Sequence, residues 1–134
     1  MTEVKMLAKV ALLLYGIVCL VFGIMYILMA ETLIATLVPG WEVNTFHAKV
    51  LGGFLVVIGF FDILMIVNKK WEWDHIKVAY MALFAFIVPM IIGQLLAVAL
   101  LAPGAAFVGE MMLEIPLESF LLLLGIVGYL KQAS

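Results

Sequence analysis

The chain has 134 residues, of which 68% are hydrophobic and only 12% charged, with a formal net charge of −2 at pH 7. Soluble globular domains carry about a quarter charged residues, so this composition excludes a soluble fold and makes the lipid bilayer the expected surroundings. All seven basic residues are lysine, and without arginine or a basic stripe nothing points to a nucleic-acid partner.

Four apolar runs, at residues 6–30, 46–67, 76–101 and 106–130, each approach the roughly 20 residues needed to cross the hydrocarbon core. They use almost the whole length. The expected architecture is therefore one all-α domain over residues 1–134, a polytopic membrane protein folded as an antiparallel four-helix bundle. Six of the seven lysines (Lys5, Lys9, Lys69, Lys70, Lys77, Lys131) flank the two outer ends and the middle connection, and only Lys49 lies on the other side. By the positive-inside rule both termini are cytoplasmic, and the expected location is a prokaryotic plasma membrane.

The first run follows Lys5 and Lys9, as a signal peptide would, but its length exceeds the roughly 7–15 residues of a cleavable core, so it reads as a retained anchor. Gly16 and Gly23 stand seven residues apart on it, with Cys19 between them on the same face. Small residues so spaced let a neighbouring backbone approach closely, which is how helices associate in lipid. Cys19 is the single cysteine, which excludes an internal disulfide and any CxxC pair. Beyond Glu31 the segment to Trp41 is compatible with a short surface helix, and Val-Pro-Gly-Trp at 38–41 reads as a turn with Trp41 at the interface.

Asn44 and Thr45 are plausible caps of the second span. Counting 100° per residue puts Lys49 on one face with Gly52, Gly53, Val56 and Phe60, and turns His47 away from it. Gly59 adds a further packing position. Asp62, near the cytoplasmic end and off that face, is expected to pair with Lys69, Lys70 or Lys77. The connection at 68–75, with Trp71 and Trp73 among charges, reads as an interfacial belt, and His75 as solvated.

Pro89 in the third span is expected to kink it by freeing the carbonyl of Ala85. Gln94, five residues on, comes level with the acidic part of the last span. After the turn Ala-Pro-Gly-Ala at 102–105, Glu110, Glu114 and Glu118 recur every fourth residue, each step turning only about 40°, so they form one stripe. Such a stripe does not face lipid: an ionisable group at membrane depth costs upwards of about 2.5 kcal/mol and turns to the bundle interior, a cavity or a partner. Pro116 lies between two of the glutamates and frees the carbonyl of Met112, marking a second kink. Gly125 and Gly128 form another close-packing surface. Phe-Leu-Leu-Leu-Leu-Gly at 120–125 echoes Phe-Leu-Val-Val-Ile-Gly at 54–59, a hint of a duplicated helical pair.

Lys49, Gln94, Glu110, Glu114 and Glu118 thus make up the expected polar intramembrane cluster, three acids against one lysine. In the simplest arrangement Glu110 lies at the headgroups, Glu114 pairs with Lys49 and Glu118 is a neutral acid bonded across helices. Otherwise the surplus is answered by shared protons, by a bound cation or by a positive group from another protein. Only one helix clearly supplies oxygens, so no metal site is assigned, and no cofactor motif occurs.

Gly-Ile-Val-Cys-Leu-Val-Phe-Gly at 16–23, the Ala-Lys-Val-Leu-Gly-Gly-Phe at 48–54 with the following Val-Ile-Gly, and a glutamate-bearing fourth helix resemble the small DoxX-like membrane proteins and the uncharacterised four-helix families related to them. The resemblance implies a four-helix bundle and carries over Lys49, Gly52, Gly53 and a glutamate of the last span. The run of three glutamates departs from that pattern.

No nucleophile with an adjacent base and no phosphate loop appears, so no catalytic residue is assigned. The expectation is a non-catalytic membrane subunit, self-associating or part of a larger membrane complex, with a cation or a lipid as a further candidate occupant of the cluster. The alternative is proton or cation translocation along Glu110, Glu114 and Glu118 with Pro89 and Pro116 as hinges. An enzyme using Glu114 as general acid ranks third.

Overall fold

The computed structural model describes residues 3–37, 45–100 and 105–133, all of it helical apart from short connections. Six helices follow in order: α1 (Met6–Leu28), α2 (Ala30–Leu37), α3 (Thr45–Val67), α4 (Trp73–Ala85), α5 (Ile87–Leu100) and α6 (Ala105–Ala133). Among the described residues, four helical stretches are long and apolar enough to cross a membrane: α1, α3, α4 continued by α5, and α6 from Val108 to Gln132. Their outward faces carry large apolar side chains such as Val57, Leu113 and Leu123, each more than 60% exposed, the natural surface for acyl chains. The turns expected at 38–41 and 102–104, and the Asn44 cap, lie outside the described residues.

α1 and α3 meet along a seam of four glycines. A Cβ at Gly23 would stand 2.8 Å from the Gly52 oxygen, and one at Gly59 would stand 2.7 Å from the Gly16 oxygen. The partners pair in reversed order, so the two helices run in opposite senses with their backbones in contact. Lipid offers helices no hydrophobic drive to associate, and this close approach provides the packing instead. Gly53, expected on the same face, points elsewhere: a Cβ there would meet nothing within 4 Å. Adjacent residues on a helix diverge by about 100°, so Gly52 and Gly53 cannot both face α1. The seam runs Gly52, Leu55, Gly59, Asp62, all buried, while Phe60 turns outward.

α6 receives aromatic side chains at Gly125 and Gly128. A Cβ at Gly125 would clash with the Phe84 ring, and one at Gly128 would stand 2.5 Å from the Tyr80 hydroxyl and 3.3 Å from the Ala8 Cα. Tyr80 donates its hydroxyl to the Gly125 carbonyl at 2.8 Å, and Tyr15 donates to the Leu83 carbonyl at 3.1 Å. Tyr15, Phe84, Tyr80, Trp73 and Tyr129 then stack in sequence with centroids 4.6–5.6 Å apart. Trp73, expected in an interfacial belt, is instead part of this core, 6% exposed; Trp71 is half-buried against Phe61.

Both described chain ends and the 68–72 connection gather at one end of the molecule, called terminal here. Gln132 fastens it, accepting from the Lys5 amide at 2.7 Å and donating to the Glu3 carbonyl at 2.8 Å. The connection is a tight turn on Asn68 leading into a capping box in which the Glu72 amide donates to His75 Nδ1 at 3.2 Å. His75 thus caps α4 as well as meeting solvent.

The third span is interrupted at Phe86, three residues before Pro89. Phe86 keeps helical dihedrals and donates to the Ala82 carbonyl at 3.1 Å, and the break follows from the donor that Pro89 cannot offer Ala85. Pro116, by contrast, lies inside α6, which continues through it. α3 packs on α1, whereas α5 packs on α6, and α1 against α6 joins the two pairs. At the distal end this leaves a space between α3 and α5.

Candidate functional site

That space is a cavity of about 380 Å³ reached by all four spans. Its walls are largely apolar, from Phe22 on α1, Leu55 on α3, Met90 on α5 and Leu121 on α6, with Gln94, Glu114 and Glu118 on the α5–α6 side. An apolar cavity with a few convergent polar groups is the usual form of a ligand site, typically about 300–1,000 Å³.

The amide of Gln94 is the hinge of the polar group. Its Nε2 donates to Glu114 Oε2 at 3.1 Å and to Glu118 Oε1 at 2.9 Å, so α5 and α6 are tied at this level. Spending both amide hydrogens on carboxylates fixes the amide's orientation, because the opposite flip would set its oxygen against them. Glu114 is 7% exposed and Glu118 is partly buried. At 1.5 Å per residue, Glu114 lies about 9 Å inside the distal edge of its span at Val108, and Glu118 near the middle. Glu110, one turn nearer the edge, is half-buried beside Glu114.

After those two bonds three acceptor atoms are left without a donor among the described residues: Gln94 Oε1, Glu114 Oε1 and Glu118 Oε2, all shielded from solvent. An unmatched buried polar atom costs on the order of 1–3 kcal/mol, so three in one cluster call for an explanation.

The structure brings Gln94, Glu114 and Glu118 together and sends Lys49 elsewhere. Lys49 donates to Glu31 Oε1 at 2.7 Å, an exposed pair whose ammonium holds the Glu31 carboxyl below the usual glutamate range. The simple arrangement with Glu114 paired to Lys49 is therefore not made. The cause is placement: Lys49 is the fifth residue of α3 and reaches back to the start of α2. Among the described residues no group of three or more His, Cys, Asp and Glu has the disposition of a metal site.

Asp62 also departs from expectation. It is fully buried, its Cβ 3.1 Å from where a Cβ on Gly16 would lie, and neither carboxyl oxygen has a partner among the described residues. It does not meet Lys69, Lys70 or Lys77; Lys77 bonds Asp74 at 3.0 Å on the surface. Asp62 follows the seam, one helical repeat beyond Gly59, and so turns toward α1 rather than the lysine-bearing turn.

Sequence reasoning missed the α1 wall. Tyr15, Cys19, Phe22 and Tyr26 line the cavity at spacings of four, three and four residues. Cys19, expected on the glycine face, belongs to this stripe, and its spacing with the three aromatic residues was the signal in the sequence. No protein family, curated protein or solved structure matches the chain.

Proposed function

We propose that this is a non-catalytic integral membrane subunit, an antiparallel four-span bundle with both termini cytoplasmic, whose working part is a binding site at Gln94, Glu114 and Glu118. It self-associates or joins a larger membrane complex; the resemblance to small DoxX-like proteins bears on the four-helix bundle alone. The observation that carries this reading is the distal cavity, on which three buried acceptor atoms go unanswered. A site of acceptors without a nucleophile or a general base poised against one has the parts for recognition rather than for bond making.

The transport reading draws on the same glutamates, but the terminal half of the bundle weighs against it. Ala8, Ala11 and Leu12 are fully buried there beside the aromatic column, and the lining of the cavity reaches only as far as Tyr15, Ile87 and Leu121. Reconstituted in liposomes, the protein is expected to carry no proton or monovalent-cation flux above empty vesicles, and after mild extraction to migrate as an oligomer or with a partner. A flux abolished by Glu114→Gln would replace this reading with transport. A strictly monomeric protein that brings no partner would remove the subunit assignment.

A further inference from the structure

We infer that the occupant of the distal cavity is a lipophilic primary amine, its ammonium held by Gln94 Oε1, Glu114 Oε1 and Glu118 Oε2 and its apolar body lodged among Phe22, Leu55 and Met90. This rests on reading the cluster as a binding site, and it specifies the chemistry of what binds.

The donor balance carries the inference. Every unmatched atom of the cluster is an acceptor, and one belongs to an amide, which no proton can convert. A proton shared between Glu114 and the neighbouring Glu110 carboxyl answers one of the three oxygens. The amide oxygen of Gln94 stays an acceptor at any pH, so it still calls for a donor. A primary ammonium brings three donors, no acceptor and a positive charge, matching three orphan acceptors that belong to two carboxyl groups and an amide.

The charge balance agrees. Lys49, the one lysine toward the distal end, is engaged by Glu31, so among the described residues no lysine pairs with Glu110, Glu114 or Glu118. The shape excludes two other occupants. A bare cation would use the oxygens and leave most of a cavity of about 380 Å³, walled by apolar side chains, without a purpose. A phospholipid amine carries a phosphate that would be set beside the same carboxyl groups. Glu114 is itself more than nine-tenths buried and lines the cavity with one oxygen unpaired, which separates this site from a solvated acidic patch.

The test uses the full chain in nanodiscs of phosphatidylcholine, whose headgroup has no N–H, with empty discs as the reference. Three probes share one tail: n-octylamine, octyltrimethylammonium and 1-octanol. Octylamine is expected to bind at least about tenfold more tightly than either of the others, since the trimethylated probe keeps the charge without donors and the alcohol keeps a donor without the charge. Glu114→Gln and Glu118→Gln are each expected to weaken octylamine about tenfold or more while leaving octanol unchanged. Equal binding of amine and alcohol to the wild-type protein overturns the amine assignment; if Glu114→Gln then weakens both, the binding-site reading survives without it. Octylamine uptake equal to that of empty discs removes both. Displacement of octylamine by equimolar sodium also overturns the amine, assigning the oxygens to a bare cation. Should Glu114→Gln fail to fold, the probe series on the wild-type protein decides alone.

Discussion

The two ends of the bundle use the same four spans differently. In the terminal half the spans interlock: Gly128 admits the Tyr80 hydroxyl and Ala8, Gly125 admits Phe84, Tyr80 finds the Gly125 carbonyl, and Gln132 satisfies both Lys5 and Glu3. In the distal half α1 and α3 remain in contact through Gly23 and Gly52, but α5 departs with α6 beyond the break at Phe86, and the space opened contains unanswered acceptors. Packing that satisfies its polar atoms supports the fold. Packing that leaves them unsatisfied lowers stability, and such sites concentrate where function requires them. Asp62, sealed under Gly16 at the boundary between the halves, belongs to neither pattern, and nothing in the structure accounts for its unpaired oxygens.

Substitutions can break this contrast, beginning with the seam that holds both halves. Gly59→Leu would drive a side chain into the Gly16 carbonyl and the α1 backbone at Leu20, and is expected to lower unfolding stability in detergent by about 3 kcal/mol. Gly53→Ala, on the same helix with open space before it, should instead gain up to about 1 kcal/mol from helix propensity. Equal losses at the two positions would contradict the placement of the seam.

Within the distal cluster the expected signs are opposed. Gln94→Leu strips two carboxyl groups of their shared donor and is expected to cost about 1–3 kcal/mol. Glu114→Gln removes surplus negative charge while keeping shape, and should leave stability unchanged or raise it by up to about 1 kcal/mol. A loss from Glu114→Gln as large as that from Gln94→Leu would make the glutamate a structural strut.

At the terminal end, Gln132→Ala deletes both bonds of a side chain only 4% exposed and should cost about 1–2 kcal/mol, read from the same unfolding curves. The smallest effect belongs to the exposed Glu31–Lys49 pair. Because Lys49 depresses the Glu31 carboxyl, any contribution is present above the ordinary glutamate range and is lost as pH falls through the lowered value. At neutral pH Glu31→Gln is expected to leave the melting temperature indistinguishable from wild type.

Much of the architecture was legible because lipid imposes strong rules. Four apolar runs sufficient to cross a bilayer, and glycines at 16, 23, 52, 59, 125 and 128, are visible in sequence, and each of those glycines now proves to face a neighbour. What the glycines face was not legible. The similar segments ending at Gly59 and Gly125 look alike, yet one meets a glycine backbone and the other an aromatic ring. The level of Gln94 against the glutamates followed from counting residues inward from the turn between their helices. The fate of Lys49 and Asp62 did not, because it depends on which face of α3 meets α1, and a rotation of one residue separates Gly52 from Gly53. Trp73 was misplaced for a related reason: composition near a turn resembles an interfacial belt, whereas its burial depends on Tyr80 and Tyr129 being in reach.

The central claim is that the distal acceptors await a donor from outside this chain. A density map of the protein in its native assembly, resolved well enough to show side-chain oxygens, tests it most directly. The account predicts non-protein density with a compact head against Gln94 Oε1, Glu114 Oε1 and Glu118 Oε2 and an apolar body extending toward Phe22 and Leu55. A map in which α3 closes onto α5 and those three oxygens meet donors of the chain itself would contradict it.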